Sequence, residues 1–277
     1  MSVKQPIAAD EFQYVSTLVR ERSAIVLEVG KEYLVESRLT ALARTLEYDS
    51  LSSLIRELRT KKCPQLVNHV IEAMTTNETL FFRDRHPFEA LQEDIIPDLI
   101  KKRADSKKLT FWCAASSSGQ EPYSVCIMLR EHFPQLLNWD IQFICSDISE
   151  LMLKRTREGI YSQLEINRGM PARLMVKYFL KEGATWQAKP ELREMITTRQ
   201  LNLAGQWATI PPCDIVFIRN VLIYFDTTVK REILGKILRI LKPGGTMLLG
   251  GSETTIHIDD EYERVRAAGS WVYRVAS

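Results

Sequence analysis

Four short stretches place polar side chains directly beside apolar runs, where they could grip a ligand instead of filling a core. Glu121 follows the small-residue turn Ser116-Ser117-Ser118-Gly119, which itself ends an apolar run over 109–115. Asp147 ends a second apolar run, 141–145, by way of Ser146. Arg219 and Asn220 end a third, 214–218, with Tyr224 a few residues on. Asn77, Thr79 and Arg83 are interleaved with Leu80-Phe81-Phe82. A buried strand, a small-residue turn and a helix make the ligand-binding corner of an open α/β sheet, because ligands sit beyond the carboxyl ends of the strands. With one glycine in the turn, the G-x-G-x-x-G dinucleotide fingerprint is absent, and Glu121 puts negative charge where a pyrophosphate would lie. The corner therefore suits a cofactor with a cationic or hydroxyl-rich part, although a ligand-free strand–helix connection would also explain it. Asp147 could accept two hydrogen bonds from a ribose diol or cap the next helix. Its position one βαβ step after the Gly119 turn favours binding. Arg219-Asn220 falls at the same ligand edge, and Tyr224 could reach it or be a core tyrosine.

The elements that must position these groups follow from periodicity. Runs such as Phe12, Val15, Leu18, Val19 and Val35, Leu39, Leu42, Leu46 carry single apolar stripes, as do 51–58 and 66–74, so residues 1–75 read as a small all-helical domain. Asp10 and Ser50 are candidate helix caps. Positive and negative side chains balance over residues 1–85, yet Arg38 and Arg44 share one helix, and Arg56, Arg59, Lys61 and Lys62 cluster on another. Each set could meet an acidic partner or simply be a solvated face. Residues 76–87 are too aromatic for a mobile linker, and burying the aromatics against the following domain would aim Asn77, Thr79 and Arg83 at the corner. From 88 to 277 the pattern alternates β and α, with a small strand-rich excursion near 181–200 that includes a strand over 194–199. Strands over 247–249 and 271–275 are expected to pair antiparallel. The fold class is α/β: a helical N-terminal domain followed by a Rossmann-like domain.

The bulk numbers exclude several classes. The chain has 277 residues, 45% hydrophobic and 26% charged, with a formal net charge of +2, so no strong field points to nucleic acid. No apolar run is long enough to span a membrane. Five cysteines form no C-x-x-C pair, which implies reduced structural thiols, a cytoplasmic setting and no metal site.

In order along the chain stand Thr-Asn-Glu-Thr-x-Phe-Phe-Arg (76–83), Ala-Ala-Ser-Ser-Ser-Gly-Gln-Glu-Pro-Tyr-Ser (114–124), Ser-Asp-Ile-Ser (146–149), Asn-Val-Leu-Ile-Tyr-Phe-Asp (220–226) and Leu-Lys-Pro-Gly-Gly (241–245). With these the chain resembles the chemotaxis receptor glutamate methyltransferase (CheR) family over nearly its whole length. The resemblance implies S-adenosylmethionine as cofactor and, as partner and substrate, glutamates on the cytoplasmic helices of methyl-accepting chemoreceptors. It implies that Asn77, Thr79 and Arg83 face the cofactor's amino-acid end or the reacting site, that Glu121 lies in the corner and that Asp147 holds the ribose. Asn202 and Leu203 should flank the adenine. Arg219 and Asn220 should line the pocket, with Arg83 and Tyr224 as the catalytic pair. Arg38 and Arg44 should read the receptor's acidic surface. Some members carry a longer strand excursion that docks a receptor's C-terminal pentapeptide. Residues 179–202 are a few residues short of that type and lack a glycine-rich loop, so independence from the pentapeptide is expected. The competing classes are a methyltransferase with an RNA or small-molecule substrate and a cofactor-binding signalling module without turnover.

Overall fold

The computed structural model describes residues 7–60, 63–207 and 210–275, which fall into two compact units. The chain up to Thr76 forms one unit together with Tyr224–Val229; Asn77–Ile223 and the chain from residue 230 form the other.

The first unit holds α1 (Ala9–Ser23), α2 (Glu32–Thr45), α3 (Leu51–Thr60) and α4 (Pro64–Met74). The apolar stripes are buried as their spacing requires: Val15 and Val19, Val35 and Leu39, Leu54 and Leu58, Leu66 and Val70. Ser50 caps α3, its Oγ accepting from Ser53 N at 3.1 Å. Asp10 is not a cap, because α1 begins a residue earlier. Its charge still suits the first helical turn, where it pairs with Arg59 at 3.0 Å. Lys61 and Lys62, grouped with Arg56 and Arg59 in the sequence, lie outside the described residues. Sequence periodicity carried no sign that residues 224–229 belong here. They are held by Val26 N donating to the Tyr224 carbonyl (3.0 Å) and by an Arg20–Asp226 ion pair (2.9 Å).

The second unit opens on α5 (Arg85–Ala90), which runs through a π-type turn (Leu91–Ile95) into α6 (Ile96–Lys102). Next come β1 (Lys108–Cys113), α7 (Gln120–His132), β2 (Asp140–Asp147) and α8 (Glu150–Glu158). A lateral excursion follows: β3 (Ile160–Ser162), α9 (Gln163–Asn167), α10 (Ala172–Tyr178), β4 (Phe179–Glu182) and β5 (Thr185–Ala188). The chain then returns through α11 (Pro190–Arg193), β6 (Ile196–Gln200), β7 (Cys213–Ile218), α12 (Thr227–Ile240), β8 (Leu241–Leu249), β9 (Tyr262–Ala267) and β10 (Ser270–Val275). Among the described residues the main sheet has the order β6-β2-β1-β7-β8-β10-β9. β10 runs antiparallel to both neighbours and the other pairings are parallel. Strand order reverses at β1, between β2 and β7, so the crevice at the carboxyl end of β1 is the switch point where such sheets bind ligands. At the other end of these strands the buried Asp214 carboxylate accepts from Thr110 N, Arg103 and Lys242 at 2.7–2.8 Å and clamps β1 to β7 and β8.

Two expectations need correcting. The excursion is β3-β5-β4, spanning residues 160–188, whereas the strand expected in it over 194–199 is β6, which pairs parallel to β2 from Phe143↔Ile196 to Asp147↔Gln200. A strand was expected there, but the free edge of β2 chose its partner. β9 was unforeseen: its exposed Glu263, Arg264 and Arg266 break the apolar pattern, and it is a strand through its hairpin with β10. The expected antiparallel pairing of β8 and β10 is present at Tyr273↔Met247.

Glu131, at the end of α7, fastens α10. Its carboxylate accepts from Lys177, from the Tyr178 hydroxyl (2.8 Å) and from Arg173 (2.7 Å). Lys177, then Tyr178 and Arg173, hold its pKa down from 4.5 to about 2. A depressed carboxylate stabilises the fold above its unfolded value and loses that contribution as pH falls through the folded one. Glu131→Gln should therefore cost about 1–2 kcal/mol at pH 7. Denaturant titrations of both proteins should show the difference shrinking between pH 4.5 and about 2.

Candidate active site

Beyond Cys113 the chain turns through residues whose backbone is tied down on several sides. Ser116 N donates to the Ser146 carbonyl (2.9 Å) and Ser117 N to Asp147 Oδ2 (2.9 Å). Thr156 Oγ1 donates to the Ser117 carbonyl (2.9 Å) and the Tyr161 hydroxyl to that of Ser118 (2.7 Å). Gly119 is left-handed at φ 93°, and a Cβ there would lie 3.0–3.1 Å from Thr156 and Tyr161 side-chain atoms, so both conformation and space call for glycine. It caps α7 and leaves Glu121 in the first turn, where the helix dipole favours a carboxylate.

Asp147 joins the tips of β1 and β2, because Oδ2 holds Ser117 N and Oδ1 holds Ser149 N (3.0 Å). The cap of α8 is Ser149, whose Oγ accepts from Met152 N at 3.2 Å, so the helix-cap reading belongs to that serine. The Asp147 carbonyl accepts from Leu201 N (2.9 Å), which sets Asn202 and Leu203 beside the tip of β2. Asn202 Oδ1 closes a turn onto Ala204 N (3.0 Å), and Leu203 is buried.

Arg219, at the end of β7, has a side chain only 2% exposed. Nη1 donates to Glu121 Oε2 at 2.5 Å, and Nη2 donates at 2.8 Å to both the Arg83 carbonyl and Asp84 Oδ2. Burial alone would lower its pKa, but the charges of Glu121 and Asp84 outweigh burial and raise it. On the other side of Glu121, the Cys113 thiol donates to Oε1 at 3.4 Å. Burial first, then the Glu121 charge, keeps that thiol neutral by raising its pKa well above the usual value.

The segment from Asn77 to Asp84 is thereby drawn over the corner. Ser117 Oγ donates to the Asn77 carbonyl and Phe82 N to Ser124 Oγ, both at 2.9 Å. Phe81 is fully buried, edge-on to Tyr161 and Phe179. Phe82 and Asp84 take positive φ (49° and 60°), which the surrounding contacts must hold. Arg83 is half-buried, and its Nη1 donates to the Glu78 carbonyl (3.0 Å). Thr79 is half-buried on the same segment. Asn220 follows Arg219 in a left-handed conformation (φ 58°).

Asn77, Arg83, Glu121, Asp147 and Arg219 are thus joined in one hydrogen-bonded neighbourhood, with Thr79, Asn202, Leu203 and Asn220 on segments fastened to it. Tyr224, Arg38 and Arg44 belong to the first unit. There Arg38 donates to the Met74 and Thr75 carbonyls (2.7 and 3.0 Å) and to Thr76 Oγ1 (2.9 Å), closing the end of α4. Arg44 is exposed. Two residues went unnoticed in the sequence. Gly169 (φ 97°) lies under the segment, where a Cβ would come 1.9 Å from the Phe81 carbonyl oxygen. Glu253 binds the backbone after β7. The first carried only a turn-glycine signal. The second follows β8 as Asp147 ends β2, and that parallel could have flagged it.

A profile of the CheR methyltransferase all-alpha domain matches residues 10–75, and one of the CheR methyltransferase, SAM binding domain matches residues 77–269. The chain belongs to the CheR methyltransferase family. It is similar to chemotaxis protein methyltransferase 1 of Pseudomonas aeruginosa, 38% identical over 268 residues covering 95% of this chain and 97% of that one. It is also similar to chemotaxis protein methyltransferase Cher2 of Pseudomonas putida, 37% identical over 269 residues with coverages of 95% and 97%. As a member it is an S-adenosylmethionine-dependent methyltransferase. The corner fits that cofactor. It offers carboxylates for hydroxyls and a cation, guanidinium groups for a carboxylate, and in Ser116 Oγ a buried hydroxyl without a partner. No cluster of His, Cys, Asp or Glu suited to a metal ion occurs among the described residues, nor any helix long and apolar enough to cross a membrane.

Removing one partner of a buried charge pair strands the other. Arg219→Leu should cost about 3–5 kcal/mol in denaturant titrations, and adding Glu121→Gln should recover part of that loss.

Proposed function

We propose that this CheR-family methyltransferase transfers the methyl group of S-adenosylmethionine to glutamate side-chain carboxylates on the cytoplasmic helices of methyl-accepting chemoreceptors, forming methyl esters in the cytoplasm. The observation that supports this reading is the Arg219–Glu121 pair, which also draws residues 83 and 84 onto the strand tips and so sets Arg83 beside the crevice at β1. The relatives' own description as chemotaxis methyltransferases agrees with it.

Asp147 is suited to hold the ribose, Asn202 and Leu203 to flank the adenine, and Asn77, Thr79, Glu121, Arg219 and Asn220 to surround the amino-acid end. When bound, the cofactor supplies a methyl group on a sulfonium that departs as a neutral thioether. A glutamate acceptor has a pKa of about 4.3, so it is already ionised at neutral pH and needs no general base. The residues' task is to align that carboxylate and strip its water. Arg83 has N–H groups beyond the one given to Glu78 with which to orient it. Too tight a grip would blunt the nucleophile, so an off-axis contact serves better than full neutralisation. For receptor docking, Arg44 offers an exposed charge, whereas the Arg38 guanidinium is engaged at the end of α4. The tight β4–β5 hairpin, turned at Gly183 and Ala184, supports independence from a receptor pentapeptide.

Labelled methyl transfer to a panel of receptor signalling domains, each with and without a C-terminal pentapeptide, tests the proposal. Base-labile label released as methanol, in equal amounts from both sets, is expected. Arg83→Ala should lose about 2–4 kcal/mol in kcat/KM; near-wild-type turnover would remove Arg83 from the reaction. Asp147→Asn should weaken cofactor binding in calorimetry about tenfold or more and also lower Tm, because its NH₂ then faces a backbone N–H. Unchanged affinity would leave Asp147 a purely structural link between strand tips.

A further inference from the structure

Between β8 and β9 the chain reads Gly250-Gly251-Ser252-Glu253, and the Glu253 carboxylate turns back onto the tip of β7. Oε2 accepts from Asn220 N and Gly250 N, both at 2.7 Å. Oε1 accepts from Val221 N at 2.9 Å and Leu222 N at 2.7 Å. One carboxylate thus gathers four backbone N–H groups from the tips of two adjacent parallel strands. Three come from consecutive residues, beginning with the left-handed Asn220 and ending at Leu222, the first residue of a 3₁₀ turn. Successive N–H groups converging in this way form a concave anion site. Left empty, it would attract any carboxylate entering the crevice. Gly250 completes the clip, because a Cβ there would lie 2.6 Å from Asn220 Nδ2 and 2.7 Å from Glu253 Oε2.

We propose that Glu253 is a positioning residue for methyl transfer. It fills the anion site at the tip of β7 and holds Asn220 in its left-handed conformation, so that Arg219 and Asn220 keep a single arrangement toward the cofactor. This rests on the cofactor-binding role proposed above for those two residues. Glu253 acts through the backbone it holds. Neutralising it withdraws a charge from four donors and loosens the backbone they hold.

Glu253→Gln keeps the shape but sets an amide NH₂ against two N–H donors, whereas Glu253→Asp keeps the charge. Amide hydrogen exchange reads the clip directly, and calorimetry with S-adenosylhomocysteine reads its consequence without an acceptor. Failure of the proposed glutamate substrate would therefore leave this test intact. The expected result for Glu253→Gln has two parts: exchange at residues 220–222 at least about tenfold faster and cofactor affinity about tenfold weaker. Glu253→Asp should recover part of both the exchange protection and the affinity. Glu131→Gln, which loosens α10 in the same unit, should leave cofactor affinity within about twofold and so controls for general destabilisation. Unchanged affinity alongside faster exchange would reduce Glu253 to a structural clip and overturn the proposal. Unchanged exchange would overturn the clip itself.

Discussion

The catalytic unit depends on one buried cation. Arg219 lies almost out of water at the end of β7, and a guanidinium there is tolerable only if its donors are met. Glu121, the Arg83 carbonyl and Asp84 meet those on Nη1 and Nη2, while Nε is buried without a partner. Those partners come from the helix that starts at the β1 turn and from a segment more than a hundred residues away in sequence. Satisfying one charge therefore joins the tip of β7, the start of α7 and the 77–84 segment. The segment's two positive-φ residues, Phe82 and Asp84, flank the carbonyl that Arg219 takes.

The other charged links in the same unit follow this rule. Asp147 collects N–H groups from the turns after β1 and β2, and Glu253 does so for β7 and β8. Asp214 performs the same task at the opposite end of the strands. Parallel strands leave their terminal N–H and carbonyl groups without ladder partners, and a carboxylate placed between two tips answers several of them at once. Two tip carboxylates, Asp147 and Glu253, thus fix the crevice from which Arg83 and the small-residue turn are presented, and Asp214 clamps the far end of the strands. A rigid rim matters for alkyl transfer, because the reaction needs alignment more than acid–base help.

Much of this was legible in the residues. The helical stripes of α1–α4, the β1–Gly119–α7 corner and the acid ending β2 all rest on local rules of periodicity, turn geometry and dipole. The aromatic pair Phe81-Phe82 beside Arg83 also spoke against a mobile linker, and Phe81 is fully buried. What failed was non-local. The strand at 196–200 was expected as part of the excursion, but nothing within those five residues says whether it completes the excursion or the edge of β2. β9 carries charges on its exposed positions and is a strand because β10 pairs with it. Asp10 looked like a cap because a two-residue shift in helix start is below what sequence can resolve.

By itself the sequence determined which side chains were available and which local elements would carry them, since helix stripes, turn glycines and strand runs are set by near neighbours along the chain. Tertiary structure decided which of those side chains act on one another. Arg38 was read as a docking charge, and its guanidinium closes the end of α4. Of the two readings of Asp147, the helix cap belongs to Ser149, and the Asp147 carboxylate also links two strand tips. Glu253 was not read at all. A polar group's partners are chosen by distance in space after desolvation has made each unmet donor costly, and that choice is absent from any single stretch of residues.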